Sequence, residues 1–147
     1  MRPTLCALLG ALGLVATATA AAHHSYAMFD GARTLTVKGT VAKLEWTNPH
    51  VFVWVYVPNE ARESGFDLYA FENGSPNVLA RGGWTKTTLA AGEELTIEYW
   101  PLIDGRTGGH FVSAMRADGS VIRGAGGPRG VDGSLPPAPP AAGAPRP

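Results

Sequence analysis

The chain has 147 residues, with 12 acidic against 12 basic side chains and a formal net charge of zero. It carries no basic block or stripe, which excludes the electrostatic footprint of a nucleic-acid binder and any attraction to an anionic membrane surface. Its one cysteine, Cys6, lies so near the start that cysteine chemistry in the folded part is excluded too.

Arg2 is followed by an apolar run from Leu5 to Val15 and then by small residues from Ala16 to Ala22. That order of charge, apolar stretch and small-residue zone predicts a secretory signal over residues 1–22, and with it a periplasmic or secreted location. The run is shorter than the ~20 residues a bilayer span needs, and no later segment reaches that length uncharged. No transmembrane segment is expected after cleavage. Cleavage after Ala20 would leave Ala21-Ala22-His23 at the front, whereas cleavage after Ala22 would leave His23 itself. Cys6 goes with the signal, so disulfide, thiolate–zinc and cysteine-nucleophile readings fall together.

A folded domain is expected over residues 23–123. Leu35 to Trp46 reads as a long strand whose alternation changes phase, which predicts a β-bulge near Ala42-Lys43. Gly39 within it predicts a sharp bend or a close backbone approach. Thr47-Asn48-Pro49 is a turn. His50 to Val57 is the clearest strand: Val51, Val53, Val55 and Val57 share one face, and His50, Phe52, Trp54 and Tyr56 share the other. After a polar loop, Phe66 to Glu72 returns antiparallel, with Phe66, Leu68 and Ala70 on one side and Tyr69 and Phe71 on the other. Ser75-Pro76 is a helix start, and Gly82-Gly83 stops the helix after a turn or two. Glu94 to Ile103 is a strand with Leu95, Ile97 and Tyr99 inward. Phe111 to Arg116 and Ser120 to Arg123 form a closing hairpin around Asp118-Gly119. Gly105-Arg106-Thr107-Gly108-Gly109 reads as a mobile hairpin loop. This order predicts an all-β fold, a small five- to six-stranded antiparallel barrel of the oligomer-binding (OB) type with a short helical connection. A small β-sandwich is the alternative.

Residues 124–147 are almost entirely glycine, proline and alanine, which predicts a disordered tail, locally extended at Pro136-Pro137-Ala138-Pro139-Pro140. Such a tail would be a proline-rich docking motif or a spacer if functional, and a dispensable extension otherwise.

Several blocks resemble the bacterial DUF6152 family of small exported proteins of uncharacterised function. They are His23-His24-Ser25-Tyr26, Phe29-Asp30, Lys38-Gly39-Thr40-Val41, Glu45-Trp46-Thr47-Asn48-Pro49-His50, Phe71-Glu72-Asn73-Gly74-Ser75-Pro76-Asn77 and Arg81-Gly82-Gly83-Trp84-Thr85. The resemblance implies an exported single domain and supplies no activity. The proline-rich tail lies outside it.

Three constellations could carry chemistry. His23-His24 behind the cleavage zone, with a free amine, is a nitrogen set suited to copper, and His50 or His110 would complete it. Met28 and Met115 are soft sulfur donors for the same purpose. The aromatic face of His50, Phe52, Trp54 and Tyr56, extended by Trp100 and Tyr69, would take a planar ligand, sugar, peptide or partner. The competing structural reading has Tyr26 and Phe29 of the amino-terminal segment, or the short helix, cover these rings as a second core. Trp46, Asn48 and His50 form a turn in which Asn48 caps and His50 bonds a neighbouring carbonyl. Glu45, Glu72 and His50 would join in a charge-assisted network if the strands pair as drawn. No serine sits in a nucleophile-elbow pattern, and the glycine-rich segment lacks the Lys-Ser/Thr of a phosphate loop. The expected function is therefore an exported, non-enzymatic binding module of unknown ligand, with copper as the possible cofactor through its amino-terminal histidines. The alternative is an envelope protein-interaction or structural module docking through the aromatic strand face.

Overall fold

A computed structural model describes residues 26–126, and the alternation at 51–57 separates its inside from its outside. The expected export signal, His23-His24 and the tail from residue 127 onward lie outside the described residues. Val51, Val53 and Val55 are completely buried, while Phe52 and Trp54 are half-buried and Tyr56 is exposed. The valine face is therefore core and the aromatic face is surface.

Six strands and one helix follow in order: β1 (Leu35–Glu45), β2 (Phe52–Pro58), β3 (Phe66–Glu72), α1 (Pro76–Arg81), β4 (Glu94–Pro101), β5 (Gly108–Arg116) and β6 (Val121–Arg123). The sheet order is β3-β2-β1-β4-β5-β6, and a further pairing of β3 with β5 closes the first five strands into a barrel. This is the OB-type layout with one added strand, and the sandwich alternative falls away. Neighbours pair antiparallel except at the closing seam, where β3 and β5 run parallel through Ala70↔Gly108, Phe71↔Gly109 and Glu72↔His110. Among the described residues no helix is long and apolar enough to cross a membrane.

The expected bulge lies where the phase changes: Val41 faces Val55 but Lys43 faces Trp54, with Ala42 left over. Gly39 makes the expected close approach, since a Cβ there would stand 2.6 Å from the Tyr56 carbonyl oxygen. A second bulge, which the sequence pattern does not announce, falls where Glu98 faces Ser113 and Tyr99 faces Phe111. It returns Phe111 and Ala114 to the core together, although they are three residues apart.

The glycine-rich segment departs from expectation. Gly108 and Gly109 belong to β5 and are buried, so they are not part of a mobile loop. A side chain at Gly108 would overlap the Ala70 backbone, and one at Gly109 would overlap the Trp100 carbonyl. β5 thus meets β3 backbone to backbone at Gly108 and β4 at Gly109, and that is the reason for the two glycines.

The helix plugs one end of the barrel. Ser75 holds the N-cap position with extended backbone and Pro76 follows it, although the Ser75 hydroxyl makes no capping bond. Leu79 points into the core beside Val41, Phe71, Leu95 and Ile97. Trp84 closes the same end, its ring edge-on to Phe111 at 5.5 Å and its indole N–H donating to the Arg123 carbonyl at 2.7 Å.

The close approach of β5 to β4 at Gly109 makes a prediction. Gly109→Ala should lower unfolding free energy by about 2–3 kcal/mol through backbone overlap. Gly65→Ala, at a positive φ of 75° with open space around it, should cost about 1 kcal/mol. Urea midpoints of the two variants compare them directly, and equal midpoints would contradict a tight β4–β5 approach.

Candidate functional site

On the outer face of the barrel, antiparallel pairing sets Phe52 opposite Glu72, Trp54 opposite Ala70 and Tyr56 opposite Leu68. Directly opposed residues share a face, so these side chains form one floor. The walls come from elsewhere: Met28 and Phe29 from the amino-terminal segment, Leu102 and Gly105 to Thr107 from the β4–β5 connection, and Arg62 from the β2–β3 loop. Together they enclose a groove of about 660 Å³. Thr107 ties the β4–β5 wall to the floor by donating its hydroxyl to the Leu68 carbonyl at 3.3 Å.

The charged groups on the rim are already partnered. Arg62 Nε donates to Asp67 at 2.7 Å, and Asn59 donates to the same carboxylate at 2.6 Å. The Asn59 bond, with Arg62 behind it, holds the Asp67 carboxyl below its ordinary range. Arg106 Nε donates to Asp104 at 2.7 Å, and the Arg106 backbone N–H leads the causes that keep Asp104 low. The groove therefore has an aromatic and aliphatic floor and a rim of internally neutralised pairs.

At one end of the groove stands a histidine corner. His50 Nδ1 donates to Glu72 Oε1 at 2.6 Å. Burial pushes the Glu72 carboxyl above its usual range, with His50 pulling the other way. Glu72 is the parallel-register partner of His110, so His50, which precedes β2, and His110 lie at the same end of the barrel, while only His50 bonds the carboxylate. Glu45 does not join them. It accepts from Lys43 at 2.6 Å and from the Trp54 indole at 3.0 Å instead, because β1 pairs with β2 by setting Glu45 against Phe52.

His110 is 2% exposed, and its Nε2 has no hydrogen-bond partner. Tyr26 meets its ring edge-on at 5.1 Å, while Phe29 at 5.5 Å and Trp100 at 5.2 Å lie tilted against it. The amino-terminal segment therefore covers His110 and Trp100, not Phe52, Trp54 and Tyr56, and the expected second core over the aromatic strand does not form. The segment is anchored by Asp30 N–H to the Pro101 carbonyl and Ile103 N–H to the Met28 carbonyl.

The remaining candidates disperse. Trp46 is half-buried against the core, and Asn48 is exposed in the β1–β2 loop next to a cis bond to Pro49. His50 bonds the Glu72 carboxylate and not the neighbouring carbonyl expected of it. Tyr69 turns inward onto Phe71 and Tyr99, so it does not extend the aromatic surface. Met28 lines the groove, but Met115 is five residues along β5 from His110, ~16 Å away at 3.3 Å per residue, and is no co-ligand. Asn73, a polar group at the sheet-to-helix corner within the Phe71 to Asn77 block, is 1% exposed, and its Oδ1 accepts from Gly74 and Ala125, both at 2.8 Å. Among the described residues no group of three His, Cys, Asp or Glu side chains is placed to hold a metal ion.

The fold and groove define a small closed β-barrel of the OB type with its β2–β3 face left open. The chain belongs to DUF6152, a family of unknown function, which it matches over residues 12–111. No curated protein and no solved structure matches it.

Burial lowers the His110 pKa from 6.5 to about 4, with a backbone bond to Ala125 opposing and His50 adding to the shift. The folded state thus favours the neutral ring, and its contribution is complete above the unfolded pKa near 6.5. It is lost as pH falls toward 4, at a cost on the order of 3 kcal/mol. His110→Phe should flatten the fall in urea midpoint between pH 6.5 and 4. Parallel losses in both proteins would show that His110 is not the titrating group.

Proposed function

We propose that the protein is an exported, non-enzymatic binding module that takes an uncharged ligand with an apolar face on the outer surface of β2 and β3. The observation that supports this most is the groove itself, with Phe52, Trp54, Leu68 and Ala70 beneath a charge-neutral rim. Barrels of this type bind ligands on the strand 2–3 face, flanked by the β1–β2 and β4–β5 loops. A net charge on the ligand would find no unpaired counter-charge among the described rim residues. Export rests on the amino-terminal pattern, and mass spectrometry of the mature protein tests it. A start at Ala21 or His23 is expected, and an intact Met1 would refute it.

The neutral fluorophore N-phenyl-1-naphthylamine is a suitable probe of the groove. Its emission should rise on binding the wild type, and Trp54→Ala should weaken that binding at least tenfold. Trp54 is half-buried on the outer face, so its removal should cost less than about 1 kcal/mol of stability. Trp84→Ala, in the core, should cost about 3–5 kcal/mol. Unchanged fluorophore affinity in Trp54→Ala would sink the groove reading. If the fluorophore fails while Trp54→Ala loses a specific envelope protein, the alternative docking reading gains.

A second reading, copper binding, is favoured by one observation. The His110 Nε2 is buried without a partner beneath Tyr26, and His24 is two residues from Tyr26 in the chain, within ~7 Å of it by covalent reach. Imidazole nitrogens and a free terminal amine suit Cu(II). Copper titration of the mature wild type should give a sub-micromolar Kd, and His23→Ala with His24→Ala should weaken it about a hundredfold. Equal affinity in both would remove the metal reading.

A further inference from the structure

We propose that Pro136-Pro137-Ala138-Pro139-Pro140 docks, within the same molecule, on the open outer face formed by Trp54, Tyr56, Phe66 and Leu68. Docked there, it competes with the ligand of the neighbouring groove. The competition rests on the groove reading above, whereas the docking stands without it.

The surface is the first support. Tyr56, Phe66 and Leu68 are all exposed, and Tyr56 meets Phe66 edge-on at 4.5 Å. With Ala42, Lys43 and Trp54, Tyr56 and Leu68 line a hollow of about 250 Å³ next to the main groove, which also includes Trp54 and Leu68. Contiguous exposed apolar patches of this kind mark interaction sites. Aromatic ridges separated by a shallow hollow are the surface that takes a polyproline helix, because that helix is extended before it binds and loses little entropy. Its free carbonyls would meet the Tyr56 hydroxyl and the Lys43 ammonium, which already lies 5.2 Å above the Trp54 ring. The proline run carries no charge, so the hollow does not have to desolvate one.

The tether is the second support. Ala125 N–H is held by Asn73 Oδ1 at 2.8 Å, and Gly126 lies against Tyr26 and His110. The chain thus leaves the described domain at the end of β3. Leu68 is four residues back along that strand, ~13 Å at 3.3 Å per residue. About ten residues separate Gly126 from Pro136, and a glycine-rich sequence of that length has the reach for it, with a typical r.m.s. span of ~16–19 Å. A tether that matches its span gives an effective concentration near ~1 mM. A contact with a Kd of only ~0.1 mM in trans would then be roughly nine-tenths occupied in cis.

Amide and indole NMR spectra of the mature full chain test this against a variant with Pro136, Pro137, Pro139 and Pro140 all changed to Ala. Shift differences are expected at the Trp54 indole and at Tyr56, Phe66 and Leu68, with none at Leu95 or Ile97 across the barrel. A peptide of residues 134–141 added to the variant should move the same signals back, with a Kd of ~0.1 mM. Affinity for N-phenyl-1-naphthylamine should rise about tenfold in the variant, since only about a tenth of the wild type has the face free. Superimposable spectra would overturn the docking, whatever the fluorophore does. Differences that vanish on dilution would overturn it in favour of contact with a second copy. Shifts with unchanged fluorophore affinity would keep the docking and overturn the competition. A fluorophore that binds neither protein would count against the groove reading alone.

Discussion

The structure depends on the parallel contact between β3 and β5, where Gly108 lets two backbones meet at a distance that no side chain permits, while Gly109 beside it does the same against β4. Without it the five strands are an open sheet with two edges, and open edges are liabilities. With it, β5 is drawn alongside Glu72 and the β4–β5 connection is laid across the outer face of β2 and β3. The same contact therefore closes the core and builds one wall of the groove. Thr107 continues the join beyond the last ladder pair by bonding the Leu68 carbonyl.

Closure also accounts for the histidine corner. His110 follows the two glycines directly, so the seam brings its backbone level with Glu72 of β3, whose carboxylate is bonded to His50, while the His110 ring packs on Tyr26, Phe29 and Trp100. Asn73 locks the corner from the other side: its N–H donates to the Val51 carbonyl, and its side chain holds Gly74 and Ala125. Three segments far apart in the chain are joined through one buried amide. Gly124, whose Cβ would collide with Phe111 and Asn73, is the condition for that approach.

Much of this was legible in the residues, for identifiable reasons. Strict alternation at 51–57 has one solution on a half-buried strand, and the valine and aromatic faces fell as read. The phase change after Val41 and the glycine at 39 each describe a local backbone event, so a bulge and a close approach could be located. The Gly105–Gly109 segment was misread because glycine reports only that a side chain is absent. A loose loop and a seam too tight for a Cβ use the same letter, and only the non-local β3–β5 pairing distinguishes them. Tyr69 and Glu45 were misplaced for the same reason: their neighbours are set by register across strands. The rim pairs of Arg62 and Arg106 sit in loops, where no period exists to read. The family resemblance seen in the residue blocks holds over residues 12–111, which span the barrel as far as Phe111.

The outer face of the barrel divides into two unlike halves. Over His110 and Trp100 the amino-terminal segment is already docked, and it buries an imidazole nitrogen that finds no partner. An unsatisfied buried polar atom costs about 1–3 kcal/mol, so that cover is bought with Phe29 burial and the backbone bonds at Pro101 and Met28. Over Phe52, Trp54, Tyr56 and Leu68 nothing among the described residues is docked, and the rim charges have been neutralised in place. A ligand entering there gains apolar burial without breaking an ion pair or displacing a segment. At the covered half it would first have to lift Tyr26 and Phe29 away. The open half is thus the lower-cost place to bind, and the covered half fixes its boundary at Met28, Phe29 and Glu72.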